Sequence, residues 1–194
     1  MKLISPLTNT HKKGFFGDYE SKNKDELIKI TEVKNIIICQ IVKFKNSSFD
    51  ISKVNIDNLT FPTPLKCSFN TSTRILWMGP DNWLITSNNL KLIENIKSQF
   101  NENDFAFTDL SHSRTIIEME GDLVDEVIKK GCPLNINNLT QGDCMNSIFQ
   151  GANITFDFIS AKPKKVRIYG LRSFSESLYH SVTDSCLEYG YEAK

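Results

Sequence analysis

The 194-residue sequence has no excess charge of either sign, since 23 basic residues are balanced by 23 acidic ones. A chain that binds nucleic acid through its phosphates carries a basic excess or a basic stripe, and neither is present. The densest basic run is Lys162-Pro163-Lys164-Lys165-Val166-Arg167. It spans a turn and the start of a strand, where a solvated turn is its ordinary role. No apolar stretch approaches the ~18 residues that a membrane-spanning helix needs. The opening Met1-Lys2-Leu3-Ile4-Ser5-Pro6 lacks the apolar core of a secretory signal. The five cysteines (Cys39, Cys67, Cys132, Cys144 and Cys186) are odd in number and widely spaced, with no Cys-x-x-Cys pair. This argues against a disulfide frame and fits a reducing cytoplasm. Internal repeats and low-complexity linkers are also absent. The expectation is a soluble cytoplasmic chain that meets neither nucleic acid nor membrane.

Recognisable catalytic machinery is missing as well. There is no Gly-x-Ser-x-Gly elbow, phosphate loop or dinucleotide fingerprint. His11, His112 and His180 are far apart and lack ligand spacing, so no metal site is expected. The stretch Asp109-Leu110-Ser111-His112-Ser113-Arg114 gathers an acid, two hydroxyls, an imidazole and a guanidinium. Alternation along a strand puts Asp109 and Ser111 on one face and His112 on the other, whereas a triad must converge. Two readings remain: hydrogen bonding to nearby backbone at a strand corner, or a binding role. Cys132 follows the C-terminus of a helix, whose partial negative charge opposes a thiolate, so a buried structural thiol is expected. Trp77 and Trp83 flank the Gly79-Pro80 turn on paired strands. They either stack on a ring-shaped ligand such as a pterin or pack in a core or interface.

What is present is an ordinary globular composition, 40% hydrophobic and 24% charged. Residues 1–31 read as a polar, irregular arm whose pair Phe15-Phe16 docks either on the domain itself or on a partner. Residues 32–194 read as a single domain. Val33 to Phe44 is β-branched and reads as a strand covered on both faces. Gly79-Pro80-Asp81-Asn82 marks a turn, so Arg74 to Thr86 is a hairpin. A helix follows, capped by Ser87 or Asn88, with Leu90 or Leu92, Ile93, Ile96 and Phe100 on one face. Strands are expected at Phe105–Leu110, His112–Glu120, Cys144–Gln150, Ile154–Ile159 and Lys165–Tyr169. A second helix opens at Gly121-Asp122. A third runs from Ser173 to Leu187, with Phe174, Leu178, Val182 and Cys186 in line. The fold class is α+β, with antiparallel or mixed sheets and helices packed on one face.

Four segments, in order, resemble the gamma subunit family of heterotetrameric sarcosine oxidase. They are Trp77-Met78-Gly79-Pro80-Asp81-Asn82-Trp83-Leu84, Asp109-Leu110-Ser111-His112-Ser113-Arg114-Thr115, Lys130-Gly131-Cys132-Pro133-Leu134 and Leu171-Arg172-Ser173-Phe174-Ser175-Glu176-Ser177-Leu178. The Gly-Pro-Asp-x-Trp turn and the Asp-Leu-Ser-His strand are also similar to the wider folate-binding aminomethyltransferase superfamily, which includes the glycine-cleavage T protein. The resemblance implies a reduced T protein-like fold. It implies an accessory, non-catalytic gamma subunit, with alpha, beta and delta subunits as partners. The whole complex would demethylate sarcosine oxidatively to glycine and hydrogen peroxide, with methylene-tetrahydrofolate or formaldehyde as the one-carbon product. FAD, FMN, NAD, tetrahydrofolate and zinc are implied on the other subunits, and no cofactor on this chain. The alternative is an autonomous folate-binding aminomethyltransferase-like protein, with Trp77, Trp83, Asp109 and Ser111 as folate-pocket candidates. In the transferases a Gly-Gly hairpin precedes an acid that faces the folate. Here Phe149 to Phe156 has one glycine and no acid, and Asp157 is the nearest carboxylate. Partner-facing candidates are Phe15 and Phe16 in the arm, and Tyr179 and Tyr189 on the exposed side of the last helix. In the isolated chain such a patch is either filled by self-association or left disordered.

Overall fold

The computed structural model describes residues 4–194. Its strands are β1 (Gly14–Phe16), β2 (Ile28–Glu32), β3 (Ile37–Lys43), β4 (Asn55–Ile56), β5 (Leu59–Thr60), β6 (Cys67–Phe69), β7 (Thr73–Gly79), β8 (Asn82–Ser87), β9 (Phe105–Asp109), β10 (Arg114–Glu120), β11 (Cys144–Phe149), β12 (Ala152–Ala161), β13 (Lys164–Leu171) and β14 (Tyr191–Ala193). Three α-helices join them: α1 (Leu92–Gln99), α2 (Val124–Lys129) and α3 (Ser175–Cys186). The chain divides into two compact units. One comprises the residues up to Lys34, Ser113–Gln141 and Asn146–Lys194; the other comprises Asn35–His112 and Gly142–Met145. Among the described residues no helix is long and apolar enough to cross a membrane.

The first unit is built on a seven-stranded sheet in the order β1-β14-β2-β10-β13-β12-β11. Strand alternation gives this sheet two different faces. Ile30, Ile117, Met119, Val166, Ile168, Phe156 and Phe158 are buried and share one face in the strand registers. α2 and α3 contact this sheet and bury Val124, Val127, Ile128, Leu178 and Val182. Each such side chain contributes about 1.5–3 kcal/mol by leaving water. The other face carries Lys29, Glu120, Lys165, Glu118 and Arg167, joined as Lys29–Glu120 (3.5 Å), Glu120–Lys165 (2.6 Å), Lys165–Glu118 (3.6 Å) and Glu118–Arg167 (2.8 Å). Lys164 pairs with Asp125. The basic run is therefore the start of β13 rather than only a solvated turn. Three of its cations are neutralised within the chain.

The second unit holds a five-stranded sheet, β6-β7-β8-β3-β9, with α1 and the small β4–β5 hairpin. β7 and β8 form the hairpin expected from the turn, with Trp77 directly opposite Trp83. α1 buries Leu92 and Ile96, four residues apart, while Glu94, Asn95, Lys97 and Ser98 face water. Its entry differs from the expected cap. Ser87 Oγ accepts from Asn89 N and Asn89 Oδ1 from Lys91 N, so two side-chain turns precede a helix that starts at Leu92 and leave Leu90 exposed.

The organisation differs from the expected arm and single domain in two places. The boundary at 31/32 falls inside β2, which lies in the sheet between β14 and β10. β1 pairs with β14, and Leu7 is fully buried. These short strands carry little local signal, because each is held by a partner far away in sequence. Residues 1–3 of the arm lie outside the described residues.

Candidate functional site

In the first unit, the ends of four strands frame a cleft of about 310 Å³. Arg114 begins β10, and Asn146 and Ser147 lie on β11. Asn153, Ile154 and Thr155 follow the β11–β12 turn, and Tyr169, Gly170 and Leu171 close β13. Arg114 is half-buried, and its Nη1 donates a long hydrogen bond to the Ser113 carbonyl (3.5 Å). Burial draws its guanidinium below the ordinary arginine pKa, though a guanidinium keeps its charge in a protein. Thr155 Oγ1 donates to Asn146 Oδ1 (2.9 Å) and fixes that amide. Tyr169 Oη donates to Asp157 Oδ2 (3.4 Å), and Asp157 is 0% exposed. The carboxylate nearest the shortened hairpin therefore lies inside the protein, behind a tyrosine. The cleft offers one cation, two amides and hydroxyl groups, a set that can hold a polar or anionic group. It contains no nucleophile–base pair.

The four folate-pocket candidates do not line this cleft. Trp83 is 5% exposed and packs edge-on against Phe61 (4.9 Å between ring centroids), inside the cluster of Ile37, Ile41, Ile85, Phe100 and Phe105. Trp77 is half-buried against the same cluster. Asp109 Oδ1 accepts from Ser111 N (2.9 Å), and Ser111 Oγ accepts from Ile38 N (3.0 Å) and donates to Ile38 O (3.3 Å). Asp109 and Ser111 thus terminate the β3–β9 ladder. Burial raises the Asp109 carboxyl pKa, but the Ser111 hydrogen bonds and the His112 and Lys97 charges outweigh it, and the net shift is downward. Arg114, in the same loaded stretch, is the residue that reaches a cleft. Asn146, Asn153 and Tyr169 carried no sequence signal, since they converge from separate strands.

The interface candidates separate in a similar way. Tyr179 is 4% exposed, and its hydroxyl lies 2.8 Å from His11 Nδ1, so it is not on the exposed side of α3. Phe174, assigned to the buried stripe, is 55% exposed, because it precedes α3. Phe16 stacks on Tyr191 (5.3 Å), so it docks on its own unit. Phe15 is 36% exposed, with the Lys24 ammonium 5.2 Å from its ring centroid. Tyr189 is half-buried beneath the Lys130 ammonium (4.4 Å). Cys132 is buried, with Sγ 3.3 Å from Ser147 Oγ. Burial pushes the Cys39 and Cys186 thiols up to about 12. All five cysteines are buried. In native protein at pH 8 we expect negligible reaction of these thiols with a disulfide reagent over minutes, and full release in denaturant. Rapid labelling of Cys132 in the native state would reinstate it as a nucleophile. Among the described residues no cluster of His, Cys, Asp or Glu is arranged to hold a metal ion.

No family model matches the sequence. Over 120 residues the chain is 26% identical to sarcosine oxidase subunit gamma of Corynebacterium sp. (strain U-96), covering 61% of this chain and 58% of that protein. The strain P-1 counterpart is 26% identical over 121 residues, 62% of this chain and 60% of the other. The chain is a homologue of the sarcosine oxidase gamma subunit. The matched stretch spans less than two thirds of either relative's length. The fold also matches heterotetrameric sarcosine oxidase from Corynebacterium sp. U-96, solved in complex with pyrrole 2-carboxylate. The TM-score is 0.77 at 18% identity, over 86% of this chain and 87% of that one. It further matches the glycine cleavage system aminomethyltransferase T of Bartonella henselae, with a TM-score of 0.61 at 9% identity, over 82% of this chain and 46% of that one. The expected α+β class with a T protein-like architecture is the fold observed.

Proposed function

We propose that this chain is an accessory, non-catalytic gamma subunit of a cytoplasmic sarcosine oxidase complex. The observation that carries the reading is the homology to two gamma subunits. It is supported by a cleft that holds one guanidinium and amides but no base poised on a nucleophile. In this reading partner alpha, beta and delta subunits carry FAD, FMN, NAD, tetrahydrofolate and zinc. The complex converts sarcosine to glycine and hydrogen peroxide, and the methyl carbon leaves on tetrahydrofolate or as formaldehyde. This chain contributes surface and structure, with Phe15 and Tyr189 as accessible aromatic contacts.

Co-production with alpha and beta chains, followed by affinity capture of this chain alone, tests the proposal. All three should elute together with flavin absorbance and sarcosine-dependent peroxide formation. The isolated chain should elute colourless and form no peroxide from sarcosine. Failure to retain alpha and beta chains, or turnover by the isolated chain, would sink it.

A further inference from the structure

We infer that the outer edge of β9 is a docking site for an extended segment of a partner subunit, which adds a strand to the five-stranded sheet. The inference rests on the accessory-subunit reading and names the surface that such a subunit would use. β9 ends the sheet order, with β3 on its inner side. Phe44 N donates to Asp104 O (2.8 Å) and Leu110 N to Ile38 O (2.8 Å). The polar backbone groups of the even-numbered residues therefore point at β3, and those of Phe105, Phe107 and Asp109 point outward. Phe105 N is satisfied by Asn101 O (3.0 Å). The C=O of Phe105, both backbone groups of Phe107 and the N–H of Asp109 have no partner among the described residues. Four such groups at two-residue spacing match the ladder of one antiparallel strand.

The opposite edge of this sheet is met at the start of β6 by the Gly142-Asp143 segment. Cys67 N of β6 donates to Gly142 O (2.7 Å), and Lys66 bridges to Asp143 in both backbone and side chain. An open edge is a liability unless it is covered. β9 carries no proline or bulge to blunt it. A groove of about 430 Å³ runs alongside, lined by Phe100, Phe105, Ala106 and Phe107, with Lys97 and Glu102 at its rim. The Lys97 ammonium lies 5.3 Å from the Phe107 ring centroid.

The side chains specify the occupant. On an added antiparallel strand, the residue opposite Phe107 shares its face and must be apolar. The residue opposite Asp109 faces an exposed carboxylate that has no ion pair among the described residues, so a basic residue suits it. A second copy of this chain fits less well. Self-pairing about Phe107 would set Asp109 against Phe105 of the other copy and bring the carboxylate no cation from across the pair, so that only the His112 and Lys97 charges of its own chain act on it. The incoming segment therefore belongs to a different chain and carries a basic residue two positions from an apolar one.

Amide hydrogen exchange on the isolated chain and on the co-produced complex tests the inference. In the isolated chain the Phe107 and Asp109 amides should exchange faster than the inward-facing Ala106 and Thr108. In the complex both should slow by about tenfold or more, as ladder amides do. A complex that forms while Phe107 and Asp109 exchange unchanged overturns the β9 site and leaves the accessory-subunit reading standing. Protection already present in an isolated dimer assigns the edge to a second copy and overturns the partner assignment. Absence of any complex removes both readings.

Discussion

Trp83→Ala is expected to lower the unfolding free energy by about 4 kcal/mol, in the range for truncating a buried tryptophan. The ring is almost wholly buried, edge-on to Phe61, in a cluster drawn from β3, β7, β8, β9 and α1. Its removal leaves a cavity in a cluster that includes Ile41 on β3 and Ile85 on β8, which are fixed by the sheet and cannot collapse freely. Trp83→Phe should cost much less, because Trp83 Nε1 is buried without a hydrogen-bond partner among the described residues and that donor would be lost at no penalty. Trp77→Ala should lie between the two, since that ring is only half-buried. Urea titration followed by circular dichroism gives the comparison. A Trp83→Ala protein of unchanged stability that loses tetrahydrofolate binding would restore the pterin-stacking role. Tetrahydrofolate titration of the unmodified chain provides the companion measurement, and no change in tryptophan fluorescence is expected.

The hairpin that holds Trp83 was legible because Gly79-Pro80-Asp81-Asn82 is a local signal flanked by apolar alternation. The buried stripe Leu178-Val182-Cys186 of α3 was legible for the same reason, since its period lies within one segment. Tyr179, Thr183 and Ser185 were not. They widen the buried face of α3, and the two hydroxyls satisfy themselves by donating to the carbonyls of Tyr179 (2.9 Å) and Ser181 (2.8 Å) one turn back. Periodicity sorts residues by polarity and so places such hydroxyls in water. β2 and β14 were hidden by a different cause. Ile28–Glu32 has only two strong apolar residues beside Lys29, Thr31 and Glu32, and Tyr191–Ala193 has three residues in all. Each becomes a strand because β10 or β2 lies beside it, and pairing of that range has no local signature. The cleft shows the same limit. Arg114 stood in a conspicuous motif, but Asn146, Asn153 and Tyr169 join it only through the sheet register.

Gly17→Ala is expected to cost about 3 kcal/mol, and it bears on the segment that the sequence presents as an arm. Gly17 has φ +72°, where an L side chain costs about 1–2 kcal/mol. A Cβ there would lie 2.2 Å from Leu187 O and 2.7 Å from Leu187 Cα, and both atoms are backbone. The chain could relieve this clash only by moving away from Leu187. That would break the bond from Asp18 N to Leu187 O (2.8 Å), worth about 1 kcal/mol. The approach is mutual: Gly190 has φ +67°, and a Cβ on it would lie 2.6 Å from Asp18 O. Lys22 Nζ ties the same two segments by donating to Tyr189 O (2.9 Å). Gly151→Ala is the matched control, because φ is +85° with nothing within 4 Å of the added carbon. It should cost only the conformational part, about 1 kcal/mol. If the two substitutions shift the urea midpoint equally, residues 17–18 do not interlock with 187–190. A larger loss at Gly17 would make the N-terminal segment a structural member of its own sheet. Its side of the molecule would then meet a partner as folded surface, through Phe15, and not as a free arm that orders on binding.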